Sequence, residues 1–396
     1  LLALLFGLAI VGAAFMLSWA AEVAQLDISA GLATALLAFI AVLPEYAVDL
    51  VFAVKGGNSF EQTGRACLSL DGGTESPCSL ALANMTGANR LLIGVGWSMV
   101  VFLAWWQWRK RGQPARGRQI ALQATRSVEL SYLALATMYS LTLPLKRSIT
   151  LVDAGVLIAI FVAYTVRVTK APASEPHLVG PARWLGEFPK SRRRASVVGL
   201  FVFAAAVILA CAEHFAEALV GAGSTLGVSE FLLVQWLAPL ASEAPELLVA
   251  GLYAWRLNTD NALGTLVSSK VNQWTLLVGT LPIAFALAAG GLHGLPIVGN
   301  QREELFLTAA QSLFALAILV NLSMSVREAW VLFTLFIVQF LAGAVGPESI
   351  HDEVRLVTGA VYLLLGLAIM GRSRSELRRL LQRGFRTPYA ALTGNG

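Results

Sequence analysis

About eleven apolar stretches, each long enough to cross a bilayer, follow one another along the chain with only short polar breaks between them. A helix needs roughly 20 apolar residues to cross ~30 Å of hydrocarbon, so stretches of this length predict transmembrane helices. The expected spans lie near 2–21, 28–55, 80–106, 128–145, 149–167, 196–219, 228–255, 262–289, 303–321, 327–345 and 354–371. Composition agrees, since 57% of the 396 residues are hydrophobic and 13% charged, outside the range of an ordinary water-soluble domain. The first stretch begins at Leu1 with no basic segment before it and reads either as a signal sequence or as a trimmed helix. The helix is the expectation, because the repeat described below needs it.

A net charge of +5 does not imply a nucleic-acid partner here, because the basic residues sit in the breaks between spans. Arg109, Lys110, Arg111, Arg116, Arg118 and Arg126 follow the third span; Arg167, Lys170, Arg183, Lys190 and Arg192 to Arg194 follow the fifth; Arg372, Arg374, Arg378, Arg379, Arg383 and Arg386 follow the last. Eleven spans put all three clusters on one side. The positive-inside rule makes that side cytoplasmic, with the N-terminus outside. The bilayer is thus the expected partner. Cys67 and Cys78 share a loop on the outer side and either form a disulfide or remain thiols. Cys211, within the sixth span, reads as a buried small apolar residue.

Setting Pro44-Glu45 on Pro245-Glu246 gives an offset of 246 − 45 = 201, and other landmarks recur in the same order. Ala83-Asn84-Met85-Thr86-Gly87-Ala88-Asn89 falls on Gly264-Thr265-Leu266-Val267-Ser268-Ser269-Lys270 at offset 270 − 89 = 181. Glu129 falls on Glu304, Ser148 on Ser323 and Asp153 on Glu328 at offset 304 − 129 = 175. A repeat of five spans is odd in number, so the second copy enters the membrane from the opposite side. Inverted repeats of this kind place substrate at the midplane between them. The expected fold is therefore an all-α membrane protein of two inverted five-helix repeats, 1–167 and 196–345. A basic linker, 168–195, joins them, and residues 346–396 add one transmembrane helix and a basic tail.

Two of the spans carry Glu45, Asp49, Glu243 and Glu246, and an ionised carboxylate at the bilayer centre costs roughly 2.5 to 3.5 kcal/mol even on the lenient insertion scale. Glu45 and Asp49 at i, i+4, and Glu243 and Glu246 at i, i+3, give each helix a two-carboxylate face. Clustered carboxylates must bind cations, share protons or pair with bases. Pro44 and Pro245 remove a backbone donor and displace the carbonyls of Ile40 and Ala241, which predicts two broken helices with hard oxygen ligands. Asn84, Asn89, Ser242, Thr265, Ser268 and Ser269 add neutral oxygens of the kind Na⁺ and Ca²⁺ prefer. Gly87, Ala88 and Gly264 let the neighbouring helices approach. Lys270 and Arg90 would modulate the charge of the site, and four carboxylates with two bases leave −4 + 2 = −2.

These residues resemble the calcium/cation antiporter superfamily, whose halves each carry an approximate Gly-Thr-Ser-x-Pro-Glu followed by Gly-Asn-x-x-Gly-Ser-Asn. Pro44-Glu45 with residues 83–89 is similar to the first copy, and Ser242 to Glu246 with residues 264–270 to the second. The resemblance implies ten core helices and a central site on Glu45 and Glu246 as metal ligands. It also implies alternating exchange of Ca²⁺ for Na⁺, K⁺ or H⁺, with these ions as cargo, no cofactor and a bacterial plasma membrane as location. Ala41, Val42 and Glu243 stand where the family has hydroxyls, Asp49 is an added carboxylate, and Lys270 replaces an Asn. That enrichment leans toward proton coupling, because carboxylates exchange protons for metal whereas hydroxyls do not.

Other readings stand beside this one. Asp49 and Glu243 pair with Arg90 or Lys270 and only shape the field, or they bind the ion; Lys270 is a tethered cation or a snorkelling side chain. Glu213, His214 and Glu217 lie toward the outer end of the sixth span and read as interfacial, or as a metal cluster or entry path, and Glu129, Asp153, Glu303, Glu304 and Glu328 at span ends read as interfacial or as packing features kept by the repeat. A Na⁺/H⁺ antiporter and a cation channel remain alternatives, the broken helices favouring a transporter. An enzyme is disfavoured by the lack of His-Glu-x-x-His, Gly-x-Ser-x-Gly or a phosphate loop.

Overall fold

A computed structural model describes residues 1–27, 43–64, 67–69, 75–113, 118–171, 178, 180–226, 229–345 and 350–392. The helices are α1 (Leu2–Ala24), α2 (Leu43–Thr63), α3 (Pro77–Lys110), α4 (Ser127–Ser140) and α5 (Leu151–Val168) in the first half. After a short α6 (Pro181–Gly186) come α7 (Lys190–Leu226), α8 (230–242), α9 (Ala244–Trp255), α10 (Thr259–Ala288), α11 (Gln301–Ile318) and α12 (Val326–Val345). The chain closes with α13 (His351–Arg372), α14 (Arg374–Phe385) and α15 (Tyr389–Leu392).

Among the described residues, nine helices are long and apolar enough to cross a membrane. The second and seventh expected spans are not among the nine. Only 43–55 of the second is described, as part of α2, and the seventh is interrupted between α8 and α9. The break predicted before Pro44, with the Ile40 carbonyl and Ala41 and Val42, lies outside the described residues. Several ends differ from expectation for local reasons. Helix α3 starts at Pro77 because Ser76 caps it, accepting a bond from Ser79 N, and Pro occupies its first position. Helix α7 runs for 37 residues, since its basic first turns project beyond the apolar span. There Arg193 donates to both oxygens of Asp27 at 2.7 and 2.9 Å and holds that carboxyl below its ordinary range. The basic tail is not an extended appendage: α14 docks on α4, where Ser131 Oγ donates to Leu380 O.

The inverted repeat is visible in pairs of equivalent residues that touch or that make equivalent contacts. Strands β1 (Gln119–Ala121) and β3 (Leu295–Pro296) are related by the 175 offset, as are β2 (Ser148–Ile149) and β4 (Ser323–Ser325). Each pairs with the other repeat's partner, β1 with β4 and β2 with β3, both antiparallel. Because β1 precedes α4 and β2 follows it, the two small sheets lie at opposite ends of that helix. Thr137 Oγ1 and Ser312 Oγ, equivalent residues on α4 and α11, share a hydrogen bond of 2.9 Å where the two helices meet. Thr150 with Asp153 caps α5, and their equivalents Ser325 and Glu328 make the same bonds at the start of α12. Arg126 reaches Asp260 on α10, and its equivalent Gln301 reaches Ser79, the equivalent of Asp260, on α3. Both long helices carry a π-helical turn at the same place, Leu92–Trp97 in α3 and Gln273–Leu277 in α10.

Burial sorts the helices. In α11, 89% of the most apolar window is buried, against 28% for α1 and 22% for α7. The bundle is thus centred on α11, with α1 and α7 at the edge. Those two pack on each other through Ala13, Leu17 and Ala21 against Ala204, Ile208 and Ala212, and turn Leu4, Leu8, Val202 and Leu209 outward to lipid. Cys67 and Cys78 are joined in a disulfide, which ties the segment after α2 to the start of α3. A bridge of that loop length contributes about 2–4 kcal/mol.

Gly87 sets the closest approach near the carboxylates: a Cβ there would lie 1.7 Å from the Gln235 carbonyl oxygen of α8. The expected outcome for Gly87→Ala is a loss of about 1–3 kcal/mol, read as a lower melting temperature in detergent. Gly155→Ala, with no atom within 4 Å of the added carbon, leaves melting unchanged or raises it. Equal melting for the two variants would contradict the α3–α8 packing.

Candidate cation site

Where the start of α2, the interruption between α8 and α9, and the middles of α3 and α10 meet, the polar residues gather. Glu45 lies in the first turn of α2 and Asp49 one turn on, both fully buried on one face. Glu243 stands at the interruption itself, its N–H on the Pro239 carbonyl, because Pro245 cannot continue the ladder. This puts a buried carboxyl on the break. Glu246, a turn further, is partly exposed.

The centre is a bridged carboxyl pair. The carboxyl groups of Glu45 and Glu243 meet at one shared donor. The side-chain amide of Gln273 donates to Glu45 Oε1 at 3.2 Å, to Glu45 Oε2 at 3.3 Å and to Glu243 Oε1. Sequence symmetry pairs Glu45 with Glu246, but the contact is with Glu243, which the helix break carries toward α2. Asn84 Nδ2 donates to Asp49 Oδ1 at 2.7 Å. Around this pair, Asp49 Oδ2, Asn84 Oδ1, Glu243 Oε2, Glu246 Oε2 and Gln273 Oε1 are buried without a hydrogen-bond partner. These five atoms are all oxygens, the donor set that hard cations take. Among the described residues, no three Asp, Glu, His or Cys side chains converge as a finished metal cage.

The other expected residues divide. Ser242 Oγ turns back on the carbonyls of Ala238 and Pro239, and Thr265 Oγ1 on that of Asn261, so their donors are spent on their own helices. Ser268 meets Tyr164 Oη at 2.8 Å, and Ser269 is buried on the same turn as Lys270. Asn89 binds Lys270: Nζ donates to its Oδ1 at 2.5 Å and its carbonyl at 3.1 Å. Arg90 does not join the carboxylates. It pairs with Glu304 at 2.5 Å and Gln339 at 2.9 Å, and Glu304 also holds Arg355 of α13 at 2.6 Å. Glu304 is therefore a buried counter-ion, a packing feature of the bundle rather than an interfacial group. Gly264 serves a side chain rather than a helix, because a Cβ there would strike the Arg126 guanidinium. Glu217 pairs with Lys55 at 3.0 Å on the exposed flank, away from the carboxyl pair.

Gln273 was not singled out from the sequence. The repeat comparison hid it, because its equivalent in the first half is Leu92. Two signals mark it: an amide in an apolar run, and its position three residues beyond Lys270, on the same helix face and inside the π turn, a device frequent at functional sites.

This bundle of inverted repeats around a buried oxygen cluster is the architecture of a membrane cation exchanger. The chain belongs to the sodium/calcium exchanger protein family, whose model matches residues 1–170 and 196–343. It is similar to the crystal structure of the H⁺/Ca²⁺ exchanger CAX, with 43% identity and a TM-score of 0.86 over 100% of this chain and 92% of that one. The fold is also that of YfkE (13% identity, TM-score 0.58, 92% of each chain). The sodium-calcium exchanger NCX_Mj shares it at 14% identity, TM-score 0.52, over 85% of this chain and 96% of that one. No curated protein matches the chain.

Removing the charge of Glu304 leaves the buried Arg90 guanidinium without a carboxylate, while Arg355 keeps Asp352, so Glu304→Gln is expected to cost about 3–5 kcal/mol of stability, read by melting in detergent. Ca²⁺ binding by the folded fraction stays at the wild-type level. A loss of Ca²⁺ affinity without a loss of stability would return Arg90 to the carboxylate site.

Proposed function

We propose that the chain is a secondary active antiporter that exchanges Ca²⁺ for H⁺ across the membrane by alternating access. The observation that carries this reading is the Glu45–Glu243 carboxyl pair, bridged by Gln273 at the contact between the two repeats. Two buried carboxyl groups gathered on one amide hold a proton between them, since neighbouring like charges cannot both persist. Ca²⁺ takes six to eight oxygens and favours ionised carboxylates, so it binds as that proton leaves. The same oxygens serve either cargo but not both. Asp49, Asn84, Glu246 and Gln273 supply the flanking unpaired oxygens, with Glu45 and Glu246 as the metal-binding carboxylates of the two repeats. Alternating exposure of such a site couples the two flows. The 43% identity to an H⁺/Ca²⁺ exchanger supports the same ion pair. Na⁺ as counter-ion is the second reading, favoured by the family description.

In this reading the repeats occupy 1–167 and 196–345, and the linker 168–195 and the tail lie in the cytoplasm of a bacterium, with the N-terminal end outside the plasma membrane. The loop arginines and lysines support that orientation, and so does the Cys67–Cys78 bridge, which forms in an oxidising compartment.

In proteoliposomes, Ca²⁺ uptake is expected to follow an imposed pH gradient and to ignore a Na⁺ gradient of equal size. Glu45→Gln and Glu246→Gln lower that uptake on the order of 100-fold, about 2.7 kcal/mol of barrier, without unfolding the protein. Uptake that follows only the Na⁺ gradient rejects the ion pair, full activity in both variants rejects the site, and current reversing at the Ca²⁺ equilibrium potential indicates a channel.

A further inference from the structure

Lys270 and Asn89 are equivalent residues of the two repeats, and they bind each other. The lysine is completely buried, and its ammonium lies 5.0 Å from the centre of the Trp274 ring. An ammonium has three donors and no acceptor. Two oxygens and an aromatic face surround this one, an environment suited to a cation of single charge. The other base in this region, Arg90, is committed to Glu304. Counting only the groups of the site, four carboxylates and one lysine leave −4 + 1 = −3 when all are ionised. Without the lysine the same carboxylates would stand at −4 and would need one more positive charge in every state of the cycle.

We propose that the Lys270 ammonium, clamped by Asn89 at the seam of the repeats, is a built-in monovalent cation that makes exchange independent of Na⁺ and K⁺. A mobile ion there would have to enter and leave with each turnover, or stay bound at a saturating concentration. A tethered one contributes the charge and never dissociates. Lys270 is thus a specificity-determining residue that acts through the site's charge rather than as a ligand. The inference rests on the antiporter reading.

The test measures Ca²⁺ uptake driven by a pH gradient in proteoliposomes containing choline, Na⁺ or K⁺ chloride at equal ionic strength. Wild-type rates agree within about twofold in the three salts, while Lys270→Asn is on the order of tenfold slower in choline and recovers in Na⁺ or K⁺. Lys270→Met, which adds no oxygen, does not recover. Melting in detergent gives a second readout: Na⁺ or K⁺ stabilises Lys270→Asn and leaves the wild type unchanged. Monovalent dependence of the wild type overturns the proposal. A folded Lys270→Asn that is as active as wild type in choline, or silent in every salt, overturns it equally. Should that variant not fold, the wild-type comparison alone decides. Absence of any pH-driven Ca²⁺ uptake by the wild type removes the antiporter reading and this inference with it, and is told apart because it appears without a variant.

Discussion

Carboxyl groups inside an apolar bundle must find a partner for their charge, and that requirement organises the centre of this molecule. Glu45 and Glu243 meet across the contact between the repeats and share the Gln273 amide, while Asp49 takes the amide of Asn84. The partners are neutral or protonated groups, with the nearest base, Lys270, held on Asn89. A carboxylate paired permanently with arginine would be a fixed strut, as Glu304 is between Arg90 and Arg355. Carboxyls joined through protons and amides can instead give up that arrangement to a cation. The contrast separates the structural acids of the bundle from the working ones.

The inverted repeat supplies the means to bring those groups together. Each half contributes one acidic helix and one long helix with a π turn, and the two small sheets join strands from opposite halves at either end of α4. Equivalent residues consequently fall beside each other near the axis, as Thr137 does with Ser312 and Asn89 with Lys270. The symmetry of the backbone is kept while the side chains diverge. Asn89 opposite Lys270, and Leu92 opposite Gln273, turn a twofold frame into an asymmetric site.

Much of this was legible in the chain because it rests on patterns that survive without coordinates. Apolar length predicts the spans, and the recurrence of Pro-Glu with its downstream Asn segment predicts the inverted halves and the acidic centre. Pairing was less legible. Symmetry favours Glu246 as the partner of Glu45, but the helix break moves Glu243 into that place, a displacement of three residues that depends on local backbone geometry. Arg90 follows Asn89 directly in sequence yet points toward a different cluster, since adjacent helical residues do not face each other. Gln273 escaped notice because one half of the repeat has no counterpart to it. Whether Cys67 and Cys78 pair depends on a distance that a sequence does not carry, and the fold brings them together as a disulfide.

In the proposed exchanger a proton held between Glu45 and Glu243 and a bound Ca²⁺ exclude each other. Calorimetry of Ca²⁺ binding to the purified protein, repeated in buffers of different ionisation enthalpy, counts the protons that leave as Ca²⁺ binds. Release of at least about one proton per Ca²⁺ is expected, reduced when Glu243 is replaced by Gln. Ca²⁺ binding with no net proton release would contradict it.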